Sequence, residues 1–192
     1  KIYDATTNAT ITGGVLEGVI NADDVSFVAN ATFSDSNVGN AKEVNVSYSL
    51  QGQSANKYAI SNSQLTASIT PKELTVSGLT ADSKSYDGTT QATVRGIPVP
   101  EGLLYSDLFS VTISGSPTAF FESSNIGIQK PISVSGYTIE GTSSANYTIV
   151  QPTNLVADIT AKSVTISGLT VSNKEYDRTT VGRSEERRVG KE

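Results

Sequence analysis

The chain has 192 residues, a net charge of −5, and no Cys, His, Met or Trp. Those absences exclude disulfide staples, thiolate nucleophiles, zinc fingers and Ser–His–Asp chemistry in this stretch. Lys and Arg do not cluster beside aromatic rings, which argues against a nucleic-acid partner, and no run of about 18 apolar residues is present to span a bilayer.

In chain order, Lys1-Ile2-Tyr3-Asp4-Ala5-Thr6-Thr7 reads as a turn. The Asp4 carboxylate is placed to accept a backbone N–H near the Thr pair, and the Tyr3 ring to pack at a core edge. Ser34-Asp35-Ser36-Asn37 is a second turn cluster, and Gly39 follows as a candidate special backbone position. Between Glu43 and Leu50 every even position is apolar or aromatic, the period of a strand with one buried face. Leu65, Ala67 and Ile69 alternate in the same way, as do Leu74 and Val76 after Thr70-Pro71-Lys72. Pro71 fixes its own φ and holds Thr70 extended, so two strands should meet there with almost no linker. Farther on, Ile132 and Val134 alternate with Ser133 and Ser135. Turn clusters lie at Ser114-Gly115-Ser116-Pro117 and Gly141-Thr142-Ser143-Ser144. The expected fold is all-β: tandem immunoglobulin-like, Greek-key antiparallel β-sandwiches of about 90 residues.

The chain repeats itself. The opening motif returns as Lys84-Ser85-Tyr86-Asp87-Gly88-Thr89-Thr90 and as Lys174-Glu175-Tyr176-Asp177-Arg178-Thr179-Thr180, with the tyrosines 83 and then 90 residues apart. Asn37-Val38-Gly39 matches Asn125-Ile126-Gly127, and Ala55-Asn56 matches Ala145-Asn146. Leu65–Thr70 matches Leu155–Thr160, and Leu74–Thr80 matches Val164–Thr170, both 90 residues on. This frame divides the chain into 1–71, a unit lacking its first strand; 72–161, a complete unit; and 162–182, the start of a third. Residues 183–192 break the pattern with a charge run and resemble a translated sequencing-adapter read. The chain is expected to be a window cut from a longer protein. The second junction has Ala161 where the first has Pro71, and is expected to be less stiff.

Asp4, Asp87 and Asp177 could suggest calcium or catalysis. Calcium asks for several oxygen ligands in one loop, and glycoside hydrolysis for two carboxylates across one site. Each motif supplies one Asp, and the pair Asp23-Asp24 has no counterpart, because the equivalent region of the second unit reads Tyr105-Ser106-Asp107 and offers one Asp at most. The expectation is a structural turn of Tyr3, Asp4, Tyr86, Asp87, Gly88, Thr89, Thr90, Tyr176 and Asp177, with no catalytic, cofactor or metal residue. Ala5 and Arg178 occupy the place of Gly88, so ordinary backbone geometry is expected there. Phe120-Phe121 and Tyr105 are the aromatic candidates for a contact patch, with a core role favoured for them.

In combination, Lys-x-Tyr-Asp-Gly-Thr-Thr, Ala31 to Gly39, Ala145 to Tyr147 and Ala157 to Thr160 resemble the YDG repeat family. The resemblance spans residues 1–181, with Ala5, Arg178 and the segment Ile97-Pro98-Val99-Pro100 as departures. It implies large bacterial surface or secreted proteins, including filamentous-haemagglutinin-like adhesins, and carries no catalytic residues. The resulting expectation is a non-enzymatic stalk or spacer of an extracellular, cell-surface adhesin. Its partners would be neighbouring repeats of the same chain and, in the alternative, an extracellular glycan or host protein bound by the repeats themselves.

Overall fold

A computed structural model describes residues 1–20, 23–171, 173–176 and 178–180. Asp177 and the charged tail lie outside the described residues. The chain divides into two compact units, Lys1–Lys162 and one beginning at Ser163.

Within Lys1–Lys162 the elements are β1 (Asn8–Ala9), β2 (Ser26–Phe33), β3 (Gly39–Gln51), β4 (Ser63–Ile69), β5 (Lys72–Ala81), β6 (Lys84–Ser85), β7 (Val94–Glu101), β8 (Thr112–Phe121), β9 (Gly127–Glu140), β10 (Tyr147–Val150) and β11 (Leu155–Thr160). Three single 3₁₀ turns, Ala55–Lys57, Tyr105–Asp107 and Ser144–Asn146, are the helical elements among the described residues. The strands form three sheets, ordered β1-β2-β3-β4, β10-β5-β7 and β6-β11-β9-β8.

The first and third sheets repeat one plan. The hairpin β2–β3 pairs Phe33 with Val44, and the hairpin β8–β9 pairs Phe121 with Ile132. At one edge Ile2 bridges Thr70 in parallel, as β6 does β11. At the other, β1 lies on β2, as Gln91 bridges Phe120. Alternation sets the faces: in β3, Val44 and Val46 are buried while Glu43, Asn45 and Ser47 are exposed.

The sheets are not wholly antiparallel. β10 runs parallel to β5, with Tyr147 opposite Lys72, and β6 runs parallel to β11. The cause is a change of sheet: the chain leaves β9, turns at Ser144–Asn146 and lands on the free edge of β5 rather than folding back as a hairpin.

Two cores result. In the second repeat, Leu79 and Ala81 of β5, Val94 of β7 and Ile149 of β10 pack against buried Phe121, Ile132, Val134, Tyr137 and Ile159. The other core crosses the repeat boundary: Tyr3, Phe33, Val44, Val46 and Ile69 share it with Leu74, Val111 and Tyr147. Only Thr70 and Pro71 separate β4 from β5, and both Ile69 and Leu74 are 1% exposed. Each such side chain stabilises the boundary by about 1.5–3 kcal/mol through burial. The first two repeats are therefore fused through apolar packing rather than strung on a linker.

Among the described residues of 1–71 none forms a strand in the position that β5 holds in the second repeat. The segments beside that position, 10–17 and 58–62, are accordingly not strands, because the middle strand that would pair with both is missing.

The unit beginning at Ser163 has no regular secondary structure among its described residues. Its Val164, Ile166, Leu169 and Val171 are 79–98% exposed.

Candidate functional site

The Tyr-Asp motifs at Tyr3 and Tyr86 build the same turn. Asp4 Oδ1 accepts from Thr6 N at 2.9 Å and from Thr6 Oγ1 at 2.9 Å. Asp87 Oδ1 does the same with Thr89, at 2.8 and 2.9 Å. The motif lysine closes the turn from the other side. Lys84 Nζ donates to Asp87 Oδ1 at 2.9 Å, Thr89 O at 2.9 Å and Gln91 O at 2.9 Å, and lies 5.5 Å from the centre of the Phe121 ring. Lys1 repeats this on Asp4, Thr6 O and Phe33, and Lys174 Nζ reaches Thr179 O at 3.0 Å. The sequence shows the lysine at matched positions, but its role needs the folded turn. The lysine holds the Asp4 and Asp87 carboxyls down to about 2, helped by the Thr6 and Thr89 amides. Thr7 and Thr90 contribute backbone: their carbonyls accept from Phe33 N and Phe121 N at 2.7 Å, tying the turn to its sheet.

Two expectations about backbone geometry are corrected. Ala5, Gly88 and Arg178 all adopt positive φ, at 61°, 81° and 62°. In the first two motifs the Asp side chain reaches two residues ahead, and the intervening residue takes the left-handed region to let it; at Ala5 the cross-link offsets the strain. Gly39 and Gly127 do not adopt positive φ; the left-handed residues lie two further on, at Ala41 (φ 48°) and Gln129 (φ 46°). A Cβ on Gly39 or Gly127 would stand 3.1 or 3.2 Å from the Lys42 or Lys130 stem, so these glycines admit a lysine rather than bend the chain.

The motif tyrosine leaves the turn altogether. Tyr3 is 4% exposed, and its hydroxyl donates to Asp107 Oδ2 of the second repeat at 3.0 Å. Tyr147 donates to the same oxygen at 2.7 Å, and the two rings meet edge to face at 5.4 Å. Asp107 is thus a buried carboxylate satisfied by a hydroxyl from each side of the boundary. Burial, and then the Asp107 hydrogen bond, raises both tyrosine pKa values. Beside them, buried Asn146 accepts from Val38 N at 2.8 Å and donates to Asn37 Oδ1 at 3.1 Å. The matched motifs are therefore halves of a joint: Tyr3, Asn37 and Val38 on one repeat, and Asp107, Asn146 and Tyr147 on the next.

The same residue types lie open at the outer ends. Tyr86 is 42% exposed and Ile126 is 60% exposed, where Tyr3 and Val38 are covered. At the first repeat, Tyr58 donates to Asp23 Oδ2 at 2.9 Å and accepts from Ile20 N at 3.0 Å. That pair reproduces Tyr147 with Asp107 and Leu104 N. Asp107 is therefore the counterpart of Asp23, the single Asp that the equivalent region of the second unit offers. The stretch from Asp107 to Phe121 is four residues longer than that from Asp23 to Phe33. Tyr176 is 90% exposed.

Of the aromatic candidates, Phe121 is core at 2% exposure, whereas Phe120 is 47% exposed and Tyr105 90% exposed. Among the described residues no three acidic side chains converge as a cation site, and no helix is long and apolar enough to cross a membrane.

No match is found among curated proteins or among solved structures. The YDG domain matches residues 1–67 and again residues 70–155, so the two halves of the Tyr3–Asp107 joint come from successive matches. The chain belongs to the YDG domain family.

Proposed function

We propose that this chain is a non-catalytic spacer segment of a bacterial cell-surface or secreted adhesin, built from immunoglobulin-like sandwiches stacked end to end. The observation that supports it best is the core shared across Thr70-Pro71, with Tyr3 bonded to Asp107. A fused boundary limits bending, and limited bending is what a stalk requires. The partners of each repeat are then its neighbours, and the ligand-binding part of the adhesin lies elsewhere. Electron microscopy or X-ray scattering on a multi-repeat version should give a rod that lengthens by a constant step per repeat. A freely bending or collapsed chain would sink the proposal. Force spectroscopy should show serial unfolding of similar units.

A second reading has one specific observation behind it. Tyr105 and Phe109, at 90% and 101% exposure, project with half-exposed Leu108 from the 3₁₀ turn ahead of β8, and the first repeat lacks them. Such a patch suits a glycan or a protein surface. Glycan-array binding by the chain that disappears in a Tyr105→Ser/Phe109→Ser variant supports this reading; binding unchanged by the variant, or no binding, removes it.

A further inference from the structure

The second repeat is closed by its own first and last strands. β5 and β6 carry the chain in, and β10 and β11 carry it out. The two segments run parallel twice, once in each sheet: Lys72 to Thr75 lie beside Tyr147 to Val150, and Lys84 and Ser85 lie beside Ile159 and Thr160. Tyr86 N donates to Thr160 O at 2.8 Å, Asp158 N to Ser83 Oγ at 3.0 Å, and Thr160 Oγ1 to Lys84 O at 3.3 Å. The entry residue Lys72 and the exit residue Thr160 therefore sit at opposite ends of one parallel pairing. Tension along the chain pulls the two segments past each other in opposite directions. It loads their cross-strand bonds together, as a shear, whereas an antiparallel pair pulled from one end gives up its bonds in succession.

β6 has only two residues, and Lys84 anchors it. The Lys84 ammonium holds Thr89 O and Gln91 O at 2.9 Å each, together with the Asp87 carboxylate, and Gln91 in turn bridges Phe120 of β8. To slide along β11, β6 would have to drag Lys84 out of these bonds and away from the Phe121 ring. The first repeat has the same parts. Ile2 bridges Thr70 in parallel, Tyr3 N donates to Thr70 O at 2.9 Å, and Lys1 Nζ reaches Asp4 and Thr6 O. Thr70 is joined to Lys72 by Pro71 alone, so tension leaving one repeat enters the next with no slack segment between.

We infer that the Lys-x-Tyr-Asp turn is a force-bearing latch. The motif lysine pins the short parallel strand, so that tension passed between successive repeats is borne as shear across the strands that open and close them. The use of such a latch rests on the spacer reading, since a stalk under load is what needs it. The latch itself is a property of the strand order and of the lysine.

Force spectroscopy on the full chain in two pulling geometries tests it. The chain has no Cys, so introduced thiols are unique attachment points. In Lys72→Cys/Lys162→Cys the load runs from entry to exit and shears the parallel strands. In Asn125→Cys/Lys162→Cys the load is applied at one end of the antiparallel β9 and β11, beside the pairing of Gly127 with Ile159, and unzips them. At equal load the sheared repeat should survive at least about tenfold longer than the unzipped one, a barrier difference of ~1.4 kcal/mol. Lys84→Met keeps an unbranched stem beside Phe121 and removes the donors. It should shorten the lifetime under shear by about tenfold and leave the unzipping lifetime unchanged. A variant that had merely lost stability would shorten both. Equal lifetimes in the two geometries, or a Lys84→Met effect of the same size in both or in neither, overturns the inference. Such a result leaves the spacer reading standing, because that reading is decided by the shape of the multi-repeat rod.

Discussion

Tyr3 and Asp107 are 104 residues apart in the chain, and the hydroxyl of one donates to the carboxylate of the other at 3.0 Å in a buried site. The most recognisable residue of the repeat thus acts on the following repeat, not on its own turn. Tyr147 supplies the second hydroxyl, and the T-shaped contact of the two rings fixes how the repeats meet.

Tyr3→Phe keeps the ring and removes one hydrogen bond to a buried charge. It should lower the stability of the Lys1–Lys162 body by about 1.5–3 kcal/mol in denaturant titration. Tyr86→Phe, made under dilute conditions, should fall within about 0.5 kcal/mol of the parent, because that ring is 42% exposed. Equal effects at the two positions would contradict the joint.

At high pH the joint should loosen. The Tyr3 and Tyr147 pKa values are raised from 10.0, so the unfolded chain gives up these protons first. Their contribution is complete below pH 10.0 and declines as pH rises through the folded values. Urea midpoints measured from pH 8 upward should fall beyond about pH 10, and less steeply in Tyr3→Phe.

At low pH the turns should loosen. The Asp4 and Asp87 carboxyls sit near 2 when folded against an ordinary 3.8. Their contribution is present above 3.8 and is lost as pH falls towards about 2. Hydrogen exchange at the Thr6 and Thr89 amides should accelerate over that interval. In Asp87→Asn the Thr89 amide should lose this pH dependence while Thr6 keeps it.

Positive φ at the turn gives opposite signs at matched positions. Gly88 has open space around a Cβ, so Gly88→Ala pays only for its left-handed backbone, about 1 kcal/mol. Ala5→Gly relieves strain of that size and should be neutral to stabilising, by up to ~1 kcal/mol. Thermal unfolding of the two variants checks both signs.

Leu74→Ala should cost about 2–5 kcal/mol, since Leu74 is 1% exposed in the core shared by both repeats. The first repeat should lose hydrogen-exchange protection together with the second. Loss confined to residues 72–161 would mean that the repeats fold independently.

The strands and their faces were legible in the sequence. Alternation from Glu43 to Leu50 places Val44 and Val46 inward in β3, and Leu74 inward in β5, because a strand turns successive side chains to opposite faces whatever surrounds it. The Asp4–Thr6 and Asp87–Thr89 bonds span two residues, so local chemistry was enough to locate them. The positive φ at Ala5 was not legible, because the strain at an alanine is offset by the lysine cross-link, and only the folded turn contains that. The destination of Tyr3 was not legible either: its partner Asp107 is in another repeat, 104 residues away, and no local pattern links the two. The sequence by itself determined a tandem β-protein with a repeated Lys-Tyr-Asp turn, since periodicity and turn chemistry act over a few residues. The tertiary structure alone decided that the tyrosine joins repeats, because burying a carboxylate requires donors from both sides of a boundary that only folding brings together.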